Sequence, residues 1–329
     1  LASSSAASDV YKRQVLGPLL FNIYLNDLLW FIEEGEVCNY ADDTTLYDTN
    51  KVLDILINNL EKDSAIAIKW FEINYMSLNT PKCKLLVAGH KDHKVTIKVG
   101  NSNITESEEA NLLGIIVDSK LTFNEHLCKK IKKANSKLAV IKRNRNYLSF
   151  EQKKIILSSF VHSHFSYAPL AWMFYSRELN NKINRVHRRA LRILYEDEEG
   201  SFEELLKKDG SFTVHEKNIQ ILMIEMFKAK NKIEPFLLQD IFEESQYTGP
   251  TLRSSKYFSR PNVETVKYGE RSLQNLGVRI WEQLPNEIQN LGSIDKFKGF
   301  VKTWRPKQCP CSLCKTFIKG LGYVQIYEC

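Results

Sequence analysis

Near residue 120 the spacing at which apolar side chains recur changes, and that change constrains the fold more than any other feature of the chain. Before it, short apolar runs are cut by turn residues. Residues 84–88, 95–99 and 112–118 read as strands, separated by stretches that hold Gly89, Gly100, Asn101 and Ser102. After it, Leu127, Ile131, Ala134, Leu138 and Ile141 recur at the three- and four-residue intervals of one helix face. Residues 180–195 repeat the pattern with Ile183, Val186, Ala190 and Ile193. Strands first and helices after predict an α+β chain.

Within the first part, Gly17 and Pro18 open a helix, because a first turn accommodates proline's missing N–H. Leu16, Leu19, Leu20, Ile23, Asp27 and Trp30 then form a mainly apolar face, and Gly35 ends the helix. Residues 37–40 and 44–47 follow as two short strands folded about Ala41-Asp42-Asp43. A longer helix is predicted over residues 52–73, with Leu53, Ile57, Leu60, Ser64, Ala67 and Phe71 along one face. The first fourteen residues, LASSSAASDVYKRQ, carry no period. They read as adaptor sequence joined to a coding segment, or as a natural flexible leader.

With 43% hydrophobic and 26% charged residues in 329, the chain can bury a sizeable core, which excludes a disordered or collagen-like protein. Residues 156–175 contain no Lys, Arg, Asp or Glu, but His162, His164, Pro169 and several serines interrupt them. They predict a helix packed in a core and no membrane span. Seven cysteines, an odd and mostly scattered set, predict free thiols in a reducing compartment and hence an intracellular protein, in cytoplasm or nucleus.

The chain carries 46 basic against 39 acidic residues, and the surplus is focused. Residues 128–145 hold eight Lys or Arg and no acid, with Lys129, Lys133 and Lys137 in a row at four-residue spacing. Along residues 180–195, Arg185, Arg188, Arg189 and Arg192 lie largely opposite the apolar face. Such rows serve either as solvated helix faces or as phosphate contacts, which position a nucleic acid without reading its sequence and weaken with salt. Trp172, Phe174 and Tyr175 read as core residues in preference to a base-stacking platform.

Cys309, Cys311 and Cys314 form CxCxxC, a thiolate spacing one ligand short of a structural zinc site, which Cys329 could complete. No histidine follows His215, so no imidazole is expected nearby, and a reduced cluster without metal is the other reading. His90 and His93, flanking Asp92, and the pair His162 and His164 are read as structural.

Two adjacent carboxylates at a hairpin tip repel unless a cation is shared, and hard divalent ions prefer oxygen ligands. Asp42-Asp43 fits that need, or else forms a solvated turn. Its surroundings weigh in favour of the first. The segments VLGPLLFNIYLNDL, YADDTTLY and WFEINYMSLNTPKCKLLVAG occur in an order that resembles reverse transcriptases. With LLGIIVDSKLTFNEH, FSYAPLAWMFYSRELNNKINRVHRRALRILY and VKYGERSLQNLGVRIWEQLP added, residues 15–329 are similar to the reverse transcriptases of LINE-type non-LTR retrotransposons.

The resemblance implies DNA synthesis from deoxynucleoside triphosphates on an RNA template and a DNA primer, with magnesium (or manganese). It makes Asp42 and Asp43 the catalytic-motif carboxylates, the first a metal ligand and the second a weaker or indirect one. Tyr40 would lie beside the primer terminus, and Gly17 and Pro18 would open the helix beneath template and nucleotide. Lys82 would stand near the phosphates of the incoming nucleotide, although it also reads as an exposed turn lysine. The implied architecture is a leader over residues 1–14 and a partial polymerase palm over 15–120, built of the β-hairpin, short antiparallel strands and packing helices. A helical thumb-like region over 121–233 would lay its basic rows on the template-primer backbone, and a C-terminal region over 234–329 would carry the cysteine cluster.

Two departures qualify that implication. Arg13 and Gln14 stand where the family has a Gln-Gly-Ser type sequence, and the family's earlier strand with its other catalytic aspartate, together with the fingers, finds no match. Asp27 and Asp48 are poor substitutes, one on a helix face and the other past the hairpin. The expectation is a polymerase part inactive by itself. The other readings are a non-catalytic nucleic-acid-binding remnant and a decayed coding segment without folded function.

Overall fold

A computed structural model describes residues 16–89, 94–174, 176–233, 241–245, 257–306, 309–311, 313, 315–318 and 322–325. The leader, His90, Asp92, His93, Tyr175, Cys314, Cys329 and much of the stretch from 234 to 256 lie outside the described residues. The chain is mixed α and β and divides into two compact units, Leu1–Leu121 and Thr122–Cys329.

In the first unit, α1 (Leu16–Leu25) runs into a 3-10 turn at Asn26–Trp30. Strand β1 (Glu36–Tyr40) pairs antiparallel with β2 (Asp43–Tyr47), and α2 (Leu53–Ile73) follows. Two further hairpins come after a 3-10 turn at Thr80–Lys82: β3 (Thr96–Val99) with β4 (Ser102–Thr105), and β5 (Glu109–Leu112) with β6 (Ile115–Asp118). Helix α2 serves two separate small cores. Its Leu53, Ile57, Leu60 and Ile68 pack against Leu85, Val87, Val95, Ile97 and Val99, whose alternation in β3 turns one sheet face inward. Its Ala67 and Trp70 pack with Leu25 and Leu28, flanked by Phe21, Val37 and Leu46.

Three local expectations are corrected here. The helix predicted from Gly17 to Gly35 ends at Leu25, and its mainly apolar face is turned outward: Leu16, Leu19, Leu20, Ile23 and Trp30 are all exposed. Apolar residues surround α1, so periodicity cannot choose a face; the helix seats Leu25, with Leu28 beyond it, on Trp70. Residues 112–118 do not form one strand. Leu113 and Gly114 both take positive φ, 48° and 82°, as a two-residue hairpin turn requires, and fold β5 back onto β6. Residues 84–88 keep strand-like alternation at Leu85 and Val87, yet form a single bridge, Leu85 to Glu106, with the Ser107 N–H donating to the Leu85 carbonyl (2.8 Å).

The second unit is helical: α3 (Asn124–Arg143), α4 (Phe150–Phe160), α5 (Pro169–Trp172), α6 (Arg177–Tyr195), α7 (Phe202–Asp209), α8 (Val214–Lys230), α9 (Leu273–Trp281), α10 (Asn286–Gln289) and α11 (Ile294–Val301), ending in the hairpin β7 (Lys315–Ile318) and β8 (Gly322–Gln325). Ser149, Ser201 and Thr213 start α4, α7 and α8 with capping boxes completed by Gln152, Glu204 and Glu216. One continuous core joins most of these helices, from Leu127 and Ile131 through Ile183 and Leu222 to Trp281 and Phe297, while Leu205 and Leu206 of α7 form a small separate cluster with Leu191 of α6. Each such fully buried apolar side chain contributes about 1.5–3 kcal/mol. The charge-free run 156–175 is broken after Phe160 and its Trp172 is buried, with Nε1 donating to the Tyr167 carbonyl (3.1 Å). Among the described residues no helix is long and apolar enough to cross a membrane.

Candidate functional site

The β1–β2 register pairs Tyr40 with Asp43, so Ala41 and Asp42 alone make the turn. Asp42 sits at the tip and Asp43 opens β2; both carboxylates are exposed, and neither makes an ion pair among the described residues. Ala41 holds φ at 51°, a conformation that matches the twist of a two-residue hairpin but crowds its Cβ. Val37 and Asn39 turn toward the unit interior while Tyr40 points out beside Asp43.

The base of this hairpin is fastened from below. Asp63 on α2 is buried, and its carboxylate accepts three backbone N–H groups: Glu33 and Glu34 at Oδ1, both 3.3 Å, and Gly35 at Oδ2, 2.7 Å. Gly35 is required there, since a Cβ would stand 2.8 Å from the Tyr47 carbonyl oxygen and 3.1 Å from Asp63 Oδ2. At the strand ends the Tyr47 hydroxyl donates to Glu36. The structure thus brings Tyr40, Asp42 and Asp43 together. Lys82 lies exposed in the Thr80–Lys82 turn, and Gly17 and Pro18 lie in the first turns of α1; no hydrogen bond or ion pair joins them to the aspartates among the described residues.

In the second unit the basic residues separate into two groups. Lys129 pairs with Glu125 (3.2 Å), Lys137 lies over the Phe160 ring, and Lys130, Lys133 and Lys137 all face His164. Burial, helped by those three charges, holds the His164 imidazole below its ordinary range. The other group lines a cleft of about 420 Å³ between α3 and α6, built from Asn135, Leu138, Lys142, Arg145, Arg189 and Arg192, with Glu198 as its acid. Glu198 is 2.7 Å from Arg145 and 3.5 Å from Lys142, and those cations hold its carboxyl below the usual range. Arg189 donates to Asn135 Oδ1 (3.1 Å), and Arg192 donates to the Gly200 carbonyl (3.0 Å) while its Nε has no partner among the described residues. Arg185 is exposed and Arg188 half-buried on the same helix. The Lys129, Lys133 and Lys137 row is therefore not continuous with this cleft. Lys142 and Arg145, which fall outside the four-residue row, are the residues of α3 and its following turn that meet the arginines.

The expectation that no imidazole lies near the cysteine cluster is overturned. His215, in the first turn of α8, places Nε2 3.2 Å from Cys311 Sγ and 3.9 Å from Cys309 Sγ, and the two sulfurs are 3.1 Å apart. All three side chains are buried. Burial acts to lower the imidazole pKa, but the two thiols, as thiolates, carry it up to about 10. The gap of 94 residues hides this meeting from any local pattern; the one sequence cue is the capping box Thr213-Val214-His215-Glu216, which fixes His215 at a helix start.

Comparison with known proteins bears on just over half of the chain. It is 28% identical over 202 residues to the RNA-directed DNA polymerase from mobile element jockey of Drosophila funebris, a stretch covering 56% of this chain and 21% of that protein. Over that stretch the chain is similar to a reverse transcriptase. The corresponding jockey polymerase of Drosophila melanogaster is 25% identical over 129 residues, 37% of this chain and 14% of its own length. The chain thus spans about a fifth or less of the curated relatives it matches. No family model matches, and no solved structure matches.

Proposed function

We propose that the chain is part of the reverse transcriptase of a LINE-type non-LTR retrotransposon, contributing later palm, thumb and C-terminal region to RNA-directed DNA synthesis inside the cell. The observation that carries this reading is the similarity over 202 residues to an RNA-directed DNA polymerase of a mobile element. The exposed Asp42-Asp43 tip agrees with it. Two adjacent hard-oxygen donors suit magnesium or manganese, which such sites hold through one or two carboxylates and the substrate's phosphates. When bound there, the ion supplies charge neutralisation at the phosphates of an incoming deoxynucleoside triphosphate. Asp42 and Asp43 hold it, Tyr40 on the same hairpin face lies beside the primer end, and Lys82 offers a cation to the leaving phosphates. The cleft cations Lys142, Arg145, Arg189 and Arg192 contact the backbone of the RNA template and DNA primer.

The test joins this chain to an upstream fingers-and-palm segment of a related element and measures primer extension. Extension that depends on magnesium and is lost on Asp42→Asn with Asp43→Asn is the expected result; equal extension by the double variant removes those carboxylates from the chemistry. A second reading, a nucleic-acid-binding remnant without turnover, is favoured by the basic cleft. It predicts salt-sensitive duplex binding by the present chain, with no extension in the joined protein.

A further inference from the structure

Three soft donors from distant parts of the second unit converge in a space closed to water. His215 is 3% exposed, Cys309 3% and Cys311 2%. Their ligand atoms form a triangle with sides of 3.1, 3.2 and 3.9 Å. An ion slightly off the plane of that triangle reaches all three atoms at roughly the 2.0–2.3 Å of Zn–N and Zn–S bonds. The sulfur–sulfur distance of 3.1 Å is far beyond the ~2.05 Å of a disulfide.

The convergence is held by contacts that do not involve the three donors. After α11 the chain is drawn back along the start of α8: Gln220 Nε2 donates to the carbonyls of Lys302 (3.3 Å) and Trp304 (3.4 Å). Arg305 pairs with Glu216 (3.5 Å) and lies over the Phe212 ring (4.4 Å). Cys309, Cys311 and Leu313 then enter the main core. The donors are therefore positioned in advance, as a metal site requires.

We propose that His215, Cys309 and Cys311 are ligands of a structural zinc ion that staples the C-terminal segment to the first turn of α8. Two thiolate ligands and an imidazole balance the charge of a divalent cation, so such a site brings no net charge into the core. The first turn of α8 adds the positive end of its helix dipole beside the thiolates. Three donors leave a tetrahedral ion one further position. The ion supplies no reaction step; it ties together positions 94 residues apart.

The experiment takes the full chain, purified under reducing conditions with zinc present and then desalted, and measures bound metal by mass spectrometry. One equivalent of zinc per chain is expected. Loss of that equivalent, to below about a tenth, is expected for Cys309→Ser with Cys311→Ser and for His215→Phe. Cys83→Ser with Cys128→Ser should retain it. His215→Cys, which restores a soft donor, should retain zinc and separates loss of a ligand from loss of fold. Cobalt substitution of the unaltered chain needs no variant, and should give thiolate charge-transfer absorption and tetrahedral visible bands. A metal-free chain after zinc exposure, a full equivalent kept by the double serine variant, or a Cys309–Cys311 disulfide recovered without metal overturns the proposal.

Discussion

Asp63→Ala removes the buried carboxylate that accepts the N–H groups of Glu33, Glu34 and Gly35 beneath the Asp42-Asp43 hairpin. A hydrogen bond to a charged group contributes about 1.5–3 kcal/mol, and an amide left unsatisfied costs about 1–3 kcal/mol. The Gly35 contact at 2.7 Å carries most of the effect, and the two at 3.3 Å are weaker. A loss of about 3 kcal/mol is expected, which raises local opening by roughly two orders of magnitude. Asp63→Asn fares little better, because its single acceptor oxygen cannot serve both sides and its amide would face N–H donors. Amide hydrogen exchange is the appropriate assay, since two units make a single unfolding free energy ill defined. Residues 33–47 should lose protection while α6 and α8 keep theirs. Unchanged exchange at Gly35 and in β1–β2, or an equal loss in both units, would refute the reasoning.

Ala41→Gly should stabilise the hairpin by about 0.5–1 kcal/mol, because the φ of 51° penalises a Cβ; slower exchange of the β1 and β2 amides checks this, and faster exchange contradicts it. His162 and His187 lie ring to ring at 4.8 Å, with Lys217 and Asp209 acting on His162, and burial first of all pushes their pKa values down to about 4 and about 2. Their contribution is present above the ordinary histidine pKa and is lost as pH falls, so the second unit should lose up to about 4 kcal/mol between pH 6.5 and 4.5. A flat denaturation midpoint for α6 and α8 across that window would remove the histidine pair as cause. Arg189→Gln with Arg192→Gln should lower the salt slope of duplex binding by about 1–2, more than Lys133→Gln with Lys137→Gln does. Equal effects would place the nucleic acid elsewhere.

What could be read from the chain beforehand was whatever a local period or turn decides. Residues 52–73 and 180–195 are long and one-sided, so their helices stand within a few residues of the expected bounds, and the two strands expected about Ala41-Asp42-Asp43 pair as a hairpin, with Asp43 already in the second strand. Residues 112–118 misled because Leu113 hides a turn inside an apolar run, and α1 misled because nearly every side is apolar. The meeting of His215 with Cys309 and Cys311, and of Arg145 with Glu198, depends on helix packing over long separations, which no window of sequence encodes.

Helix α2 is a single beam bearing two loads that share none of its residues, although Ala67 of one and Ile68 of the other are neighbours. Opening the core beneath β1 and β2 exposes nothing beneath β3 and β4, so the aspartate-bearing hairpin can be softened without dissolving its neighbour. A small roll of the beam about its own axis, by contrast, displaces both loads at once. Substitutions that bow or rotate α2 should therefore act as long-range mutations of the hairpin tip, although they touch neither aspartate.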